Sequence, residues 1–224
     1  MTQPQGDLTV GPLGDRAVLL TLAGDPDRCN QRIALIAEIM REEGRRDPRP
    51  AVLDLAPAMV SLAAFFDPRL ISPDEIGKRL IDAAARAPES GDADRPRRLH
   101  VIPVVYDGPD LSAAAARLGL APDELERRHA ARVYRVRFLG FAPGFAYLGA
   151  LDPTLVLPRL STPRLRVAAG SVAIAGDQTA IYPLDTPGGW HLIGRTPVRP
   201  FDVARDPPSL FAAGDEVRFQ PHPA

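Results

Sequence analysis

Apolar residues follow two regimes along the chain. In the first half, strand-length apolar runs alternate with stretches whose apolar positions recur every three or four residues. Ala17-Val18-Leu19-Leu20-Thr21-Leu22 reads as a buried strand, entered through the turn Pro12-Leu13-Gly14-Asp15. Asp25-Pro26-Asp27 then places an N-cap before a proline at the first helical position, and Ile33, Ile36, Ala37 and Met40 give that helix one apolar face. Gly44 and the charged Arg45-Arg46-Asp47 end it. Two further strands, Ala51 to Leu55 and Val60 to Phe66, flank the turn Ala56-Pro57-Ala58. Ser72-Pro73-Asp74-Glu75 has the form of a capping box, followed by the apolar face Ile76, Leu80, Ile81 and Ala84. The polar stretch Ala87 to Arg98 reads as a loop, and Leu99 to Tyr106 as a strand. The order strand, helix, strand, strand, helix, strand is the split βαβ arrangement, with helices covering an antiparallel sheet. It predicts a ferredoxin-like α+β domain over residues 1–106.

The second regime begins after two short helices, Asp110 to Leu118 and Ala121 to His129, which read as a connection over residues 107–131. Val133 to Leu139 alternates apolar and polar positions, as a half-buried strand does, with Arg135 and Arg137 on its exposed face. From Leu139 to Arg195 glycine and proline punctuate short apolar runs, so helices cannot run long and the chain turns often. Glu216 to Phe219, after the turn Ala213-Gly214-Asp215, reads as the last strand. The pattern predicts a β-barrel or sandwich over residues 132–224.

Composition narrows the function classes. At 224 residues and 45% hydrophobic, the chain can bury one large core or two small ones, which excludes wholesale disorder. A net charge of -1 leaves no basic excess for a phosphate backbone, so nucleic acid is not an expected partner. The single cysteine, Cys29, can form neither an internal disulfide nor a cysteine-based metal set. Met1 to Asp7 lacks the apolar run of a signal peptide, and no apolar stretch is long enough to span a bilayer. The expectation is a cytoplasmic protein with no membrane partner and no metal site.

Several motifs, taken in order, carry a resemblance. Pro12-Leu13-Gly14-Asp15-Arg16-Ala17, Asp54-Leu55-Ala56-Pro57 and Ile102-Pro103-Val104 stand in the first half. Gly140-Phe141-Ala142-Pro143-Gly144-Phe145 and the run to Arg195-Thr196-Pro197 stand in the second. Over nearly its whole length the chain resembles the family that contains the B subunit of the bacterial ATP-dependent 5-oxoprolinase. That family is also called allophanate hydrolase subunit 1-like, and it includes an inhibitor of a sporulation histidine kinase. Ala146, Ala169 and Ala180 depart from its usual residues, all at turns. The resemblance implies a ferredoxin-like N-terminal domain, a cyclophilin-like β-barrel and a part in hydrolysing 5-oxo-L-proline to L-glutamate with ATP. It also implies subunits A and C as partners, with ATP and Mg2+ bound by the complex.

Set beside the residues, this implies shared catalysis. There is no glycine-rich loop followed by Lys-Ser or Lys-Thr, no serine in a nucleophile elbow and no cysteine near a histidine. The expected catalytic set is His191, Arg195 and Gln178, and the expected substrate-binding set is Phe145, Gly170, Thr186, Gly188 and Trp190. Each has a plainer reading. His191 titrates near neutral pH, or is a hydrogen-bonded strand histidine beside Trp190. Arg195 holds a carboxylate or phosphate in a fork, or pairs with Asp185. Gln178 orients a lactam or a water, or ties two loops. Gly188-Gly189 lets a ligand approach the backbone, or makes a hairpin turn. Phe141, Phe145 and Tyr147 line a pocket wall, or pack in a core or subunit contact. His100 and His129 read as structural or solvated. Two rival functions share the scaffold: a regulator that inhibits a sensor histidine kinase, and a component of urea or allophanate breakdown. No biotin-attachment segment or amidase serine cluster supports the latter.

Overall fold

The computed structural model describes residues 3–5, 7–47, 51–88 and 97–223, so residues 89–96 of the expected loop lie outside the described residues. The chain is of the α+β class and divides into two units, Met1–Pro96 and Arg97–Ala224.

The first unit runs β1 (Gln3–Gln5), β2 (Leu8–Pro12), β3 (Ala17–Leu22), α1 (Pro26–Arg46), β4 (Val52–Pro57), β5 (Ser61–Phe66) and α2 (Pro73–Arg86). Its sheet is antiparallel in the order β1-β2-β3-β5-β4. Both helices start where capping chemistry places them. The Asp25 carboxylate accepts the Arg28 N–H at 2.9 Å, and Ser72 and Glu75 close a reciprocal capping box. Such caps contribute about 1 kcal/mol each. Ile33, Ile36, Ile76 and Leu80, fully buried with Leu20 and Leu62, contribute more, at about 1.5–3 kcal/mol per side chain. α1 runs through Gly44 to Arg46, where Glu42 pairs with both Arg45 and Arg46 across the last turn.

One expectation fails here. The strand Leu99 to Tyr106 does not complete this sheet. β3 is bonded on one edge to β5 and on the other to β2, which precedes the first helix, so neither edge is open to it.

The second unit contains β6 (Leu99–Val104), α3 (Leu111–Leu118), α4 (Pro122–Ala130), β7 (Val133–Leu139), β8 (Ala146–Gly149), β9 (Arg164–Val167), β10 (Ser171–Ala175), β11 (Gln178–Ile181), β12 (Thr186–Gly188), β13 (His191–Arg195) and β14 (Glu216–Pro221). Seven strands form one sheet in the order β13-β10-β11-β8-β7-β14-β6, with β6 parallel to β14. Just past β6, Val105 exchanges both main-chain hydrogen bonds with Arg195 at 2.9 Å each. The last strand thus meets the first, and the sheet curls into a nearly closed barrel. β9 and β12 pair separately as a short ribbon. α3 and α4, expected as a connection over 107–131, belong to this unit: Ala114, Ala115 and Leu125 are buried in its core.

The seam requires close approach of backbones. The Gly108 N–H donates to Ile193 O at 3.3 Å, and Asp110 binds Leu192 twice, through its own N–H and through its carboxylate. A Cβ on Gly194 would stand 2.6 Å from Val105 O, and one on Gly108 2.3 Å from Leu192 O. Arg137, read as exposed, is buried. The register slips between Val136 and Phe138, Gly149 leaves the space the guanidinium fills, and Asp177 accepts from it at 2.8 Å.

The barrel interior holds a polar chain among apolar side chains. His129 is fully buried and stacks on Phe219. Thr179 Oγ1 donates to Ala173 O at 3.0 Å, so it accepts from His129 Nε2 at 2.9 Å. His129 Nδ1 is then the acceptor for the Tyr106 hydroxyl at 2.7 Å. With every polar atom of the ring satisfied as the neutral form, burial lowers the His129 pKa to about 3.

Two tests follow from this geometry. Gly194→Ala forces the added methyl against Val105 O and is expected to cost about 1–3 kcal/mol, read from urea denaturation. For His129 the folded pKa lies below the unfolded value of about 6.5, so between the two values only the unfolded chain binds the proton. Stability is therefore lost as pH falls from about 6.5 towards 3. Measured at pH 6.5 and pH 5, the wild type should lose about 1.6 kcal/mol more than His129→Gln, which cannot titrate. Equal losses would refute the assignment.

Candidate functional site

Strand alternation gives the barrel two unlike faces. Along β10, Val172 and Ile174 point into the core, while Ala173 and Ala175 point outward. Ala180 on β11 joins them. Because this outer floor is alanine, large rings lie down over it. Phe145 makes edge-to-face contacts with Tyr147, Tyr182 and Trp190 at centroid distances of 4.9, 5.4 and 5.7 Å. Such pairs are worth about 0.5–1.5 kcal/mol beyond their burial.

The loop before β8 delivers this cluster. Phe145 N–H donates to Ala142 O and Gly140 N–H to Phe145 O, closing a tight turn. Gly144 has φ 78°, and a Cβ there would stand 2.6 Å from Phe201 Cβ. Phe141 also has positive φ, 72°, which is strained for an aromatic residue. Its ring is 63% exposed and lines a cleft.

The cleft has a volume of about 280 Å³. It is lined by the rings of Phe141, Phe145, Tyr147, Tyr182 and Trp190 and by Leu160, Pro163, Pro187 and Gly188-Gly189, with Arg159 among them. Burial raises the pKa of the Tyr147 and Tyr182 hydroxyls; at Tyr147 the Arg159 charge partly offsets it, and at Tyr182 a hydrogen bond with the Trp190 main chain does so first, with Arg159 next. Tyr182 fits only because residue 188 is glycine: a Cβ there would stand 2.2 Å from its hydroxyl. Arg164 is neutralised by Asp110, and Arg166 by Asp185, which also accepts the Ala169 N–H. Among the described residues no carboxylate lies within ion-pair distance of Arg159.

The fold brings together Phe145, Gly188 and Trp190 of the expected site. The other expected residues do not line the cleft. His191 is buried on β13 and its Nε2 donates to Pro158 O at 2.9 Å. Arg195 is exposed and pairs with Asp107 at 2.9 Å, whereas Asp185 takes Arg166 instead. Gln178 opens β11 opposite Gly149. Gly170, at φ 83°, serves a close approach: a Cβ there would stand 2.5 Å from Thr196 O. Thr186 opens β12, and its Oγ1 is buried without a hydrogen-bond partner. Arg159 and Tyr182 were not among the expected site residues. No local pattern marks Arg159, which stands in a segment with neither helical nor strand periodicity.

The class is thus an α+β protein whose barrel carries an aromatic cleft on its outer face. The chain belongs to the family described as carboxyltransferase domain, subdomain C and D, which it matches over residues 8–211. It is 41% identical to the B subunit of 5-oxoprolinase from Escherichia coli O157:H7 over 213 residues, covering 93% of this chain and 94% of that protein. It is 39% identical to the B subunit of 5-oxoprolinase from Bacillus subtilis (strain 168) over 220 residues, covering 92% of this chain and 90% of that one. Among solved structures, TTHA0988 superposes with a TM-score of 0.79 at 39% identity. The match covers 93% of this chain and 40% of TTHA0988, so the chain spans less than half of that protein. The Kluyveromyces lactis urea carboxylase shares the fold, with a TM-score of 0.77 at 19% identity over 100% of this chain and 23% of that one. No helix among the described residues is long and apolar enough to cross a membrane.

Gly188→Ala should displace Tyr182 and destabilise the chain by about 1–3 kcal/mol. Adding Tyr182→Phe should recover part of that loss by removing the hydroxyl that meets the new methyl. Strict additivity of the two changes in a denaturation cycle would show that the residues do not meet.

Proposed function

We propose that this chain is the B subunit of an ATP-dependent 5-oxoprolinase and contributes a binding cleft to the hydrolysis of 5-oxo-L-proline to L-glutamate. Identity near 40% to two 5-oxoprolinase B subunits, over nine-tenths of the chain, supports the reading. The observation that carries it at the site is the make-up of the cleft. It offers an apolar wall and a cation, but no carboxylate, imidazole or thiol stands among its lining residues. Lactam hydrolysis needs an activated carbonyl and a base for water. A chain equipped to hold the substrate and not to hydrolyse it fits one component of a shared site.

On this reading the first unit is ferredoxin-like, with β2 in the place of the expected last strand, and the second is a cyclophilin-like barrel. Subunits A and C are the partners, the complex works in the cytoplasm, and its small-molecule substrate is the lactam. ATP with Mg2+ is the implied cofactor of the complex; among the described residues no group of three or more acidic, histidine or cysteine side chains could by itself hold a metal ion. No step of nucleotide activation is routed through the residues of this chain. His191 acts by fastening Pro158 beside Arg159, while Arg195 and Gln178 support the barrel around the cleft. In the reaction of the complex two waters are consumed: one supplies the added carboxylate oxygen as the lactam C–N bond breaks and nitrogen becomes the amine of glutamate, and the other is taken up as ATP yields ADP and phosphate.

The test is reconstitution. The purified chain alone should release no glutamate from 5-oxo-L-proline and ATP, and addition of subunits A and C should restore release. A complete mixture without glutamate formation, or full turnover by the isolated chain, would reject the proposal.

A further inference from the structure

Arg159 sits on a segment pinned to the barrel from three sides. The Gly176 N–H donates to Leu157 O at 2.6 Å, His191 Nε2 donates to Pro158 O at 2.9 Å, and the Leu160 N–H donates to Gly189 O at 2.7 Å. The backbone on either side of Arg159 is therefore fixed, while its side chain lines the cleft with no carboxylate partner among the described residues. This sets it apart from its neighbours Arg164 and Arg166, which are both paired. A cation carried on a pinned backbone beside an aromatic wall, with no carboxylate partner among the described residues, suits an anionic ligand.

The wall restricts what that ligand is. Aromatic rings alone would also suit a cationic guest, but a guanidinium in the same cleft repels one. The guanidinium fork matches the two oxygens of a carboxylate. At about 280 Å³ the cleft lies near the lower end of ligand pockets, which suits a small ring.

We infer that Arg159 is the specificity-determining residue of the cleft: it holds the carboxylate of a small cyclic amide acid whose ring lies against Tyr147 and Trp190. This rests on the reading of the chain as a 5-oxoprolinase subunit and names the group that selects the substrate. The lactam with its carboxylate is bound, and the same lactam without it is discriminated against.

Trp190 is the only tryptophan of the chain and lines the cleft, so its fluorescence reports occupancy directly. The isolated chain is titrated with 5-oxo-L-proline and with 2-pyrrolidone, which has the ring and no carboxylate. The expected result is a saturable change with 5-oxo-L-proline that weakens at least tenfold in Arg159→Gln, equivalent to about 1.4 kcal/mol. Arg159→Lys should recover part of the affinity, and the weak binding of 2-pyrrolidone should not change in either variant. Arg159 is exposed, and matching thermal melts would show that the variants fold. The inference is overturned if Arg159→Gln binds 5-oxo-L-proline as the wild type does, or if both ligands weaken equally. It is also overturned if no saturable change occurs up to about 10 mM, ten times the upper end of usual Michaelis constants.

The reconstituted complex separates the two readings. If the wild-type complex releases glutamate and Arg159→Gln leaves its KM unchanged, the role of Arg159 falls and the subunit assignment stands. If the wild-type complex is inactive while the isolated chain still binds the lactam acid through Arg159, the subunit assignment falls and the recognition of a cyclic amide acid stands.

Discussion

The second unit depends on a seam along one edge of β13. On its inner edge β13 pairs with β10, and on its outer edge the segment from Val105 to Asp110 supplies the hydrogen bonds. An edge strand with unmet N–H and C=O groups is costly when buried, and here every turn of the closure answers that cost. Trp190 and His191 enter β13 at this seam, so the cleft wall and the anchor beside Arg159 both take their positions from it. The same backbone contact that closes the barrel thus aims the groups of the site.

Period-two alternation then divides the labour between faces. Large side chains such as Tyr134, Ile174 and Phe219 fill the interior, where the His129 chain of hydrogen bonds is satisfied throughout. The alanines of the outer face leave a shallow floor, and the rings above it are held at edge-to-face distances rather than merged into the core. A larger residue at Ala173 or Ala180 would fill the space the rings occupy. The cleft therefore exists by subtraction: small side chains below, and a missing Cβ at Gly188 beside Tyr182.

Charge follows the same economy. Arg137, Arg164, Arg166 and Arg195 each meet an aspartate, which fixes loops and leaves little net field around them. Arg159 alone in the cleft keeps its charge available, on a backbone that three hydrogen bonds hold still. Preorganisation of this kind lowers the entropy lost on binding. A cleft with a cation and an apolar wall, and without groups that move protons near neutral pH, is a device for holding an anion and leaves the chemistry to another surface.

What was readable from the chain alone was what local physics decides. The starts of α1 and α2 follow from Asp25, Ser72, Glu75 and the prolines beside them, because capping involves residues within one turn. The strands Ala17–Leu22 and Val133–Leu139 follow from apolar runs, and the aromatic and glycine character of the loop at Phe145 and of Gly188-Trp190 marked the cleft region. Partnership was not readable. β6 has the pattern of any strand, and only its parallel register with β14, more than a hundred residues away, moves it to the second unit. The burial of Arg137 hangs on the missing side chain of Gly149, and the significance of Arg159 hangs on Trp190, Tyr182 and His191 arriving from other strands. Periodicity records which face of an element is apolar. Which element that face meets is set by packing between distant segments, and so the site, built from such meetings, belongs to the tertiary structure.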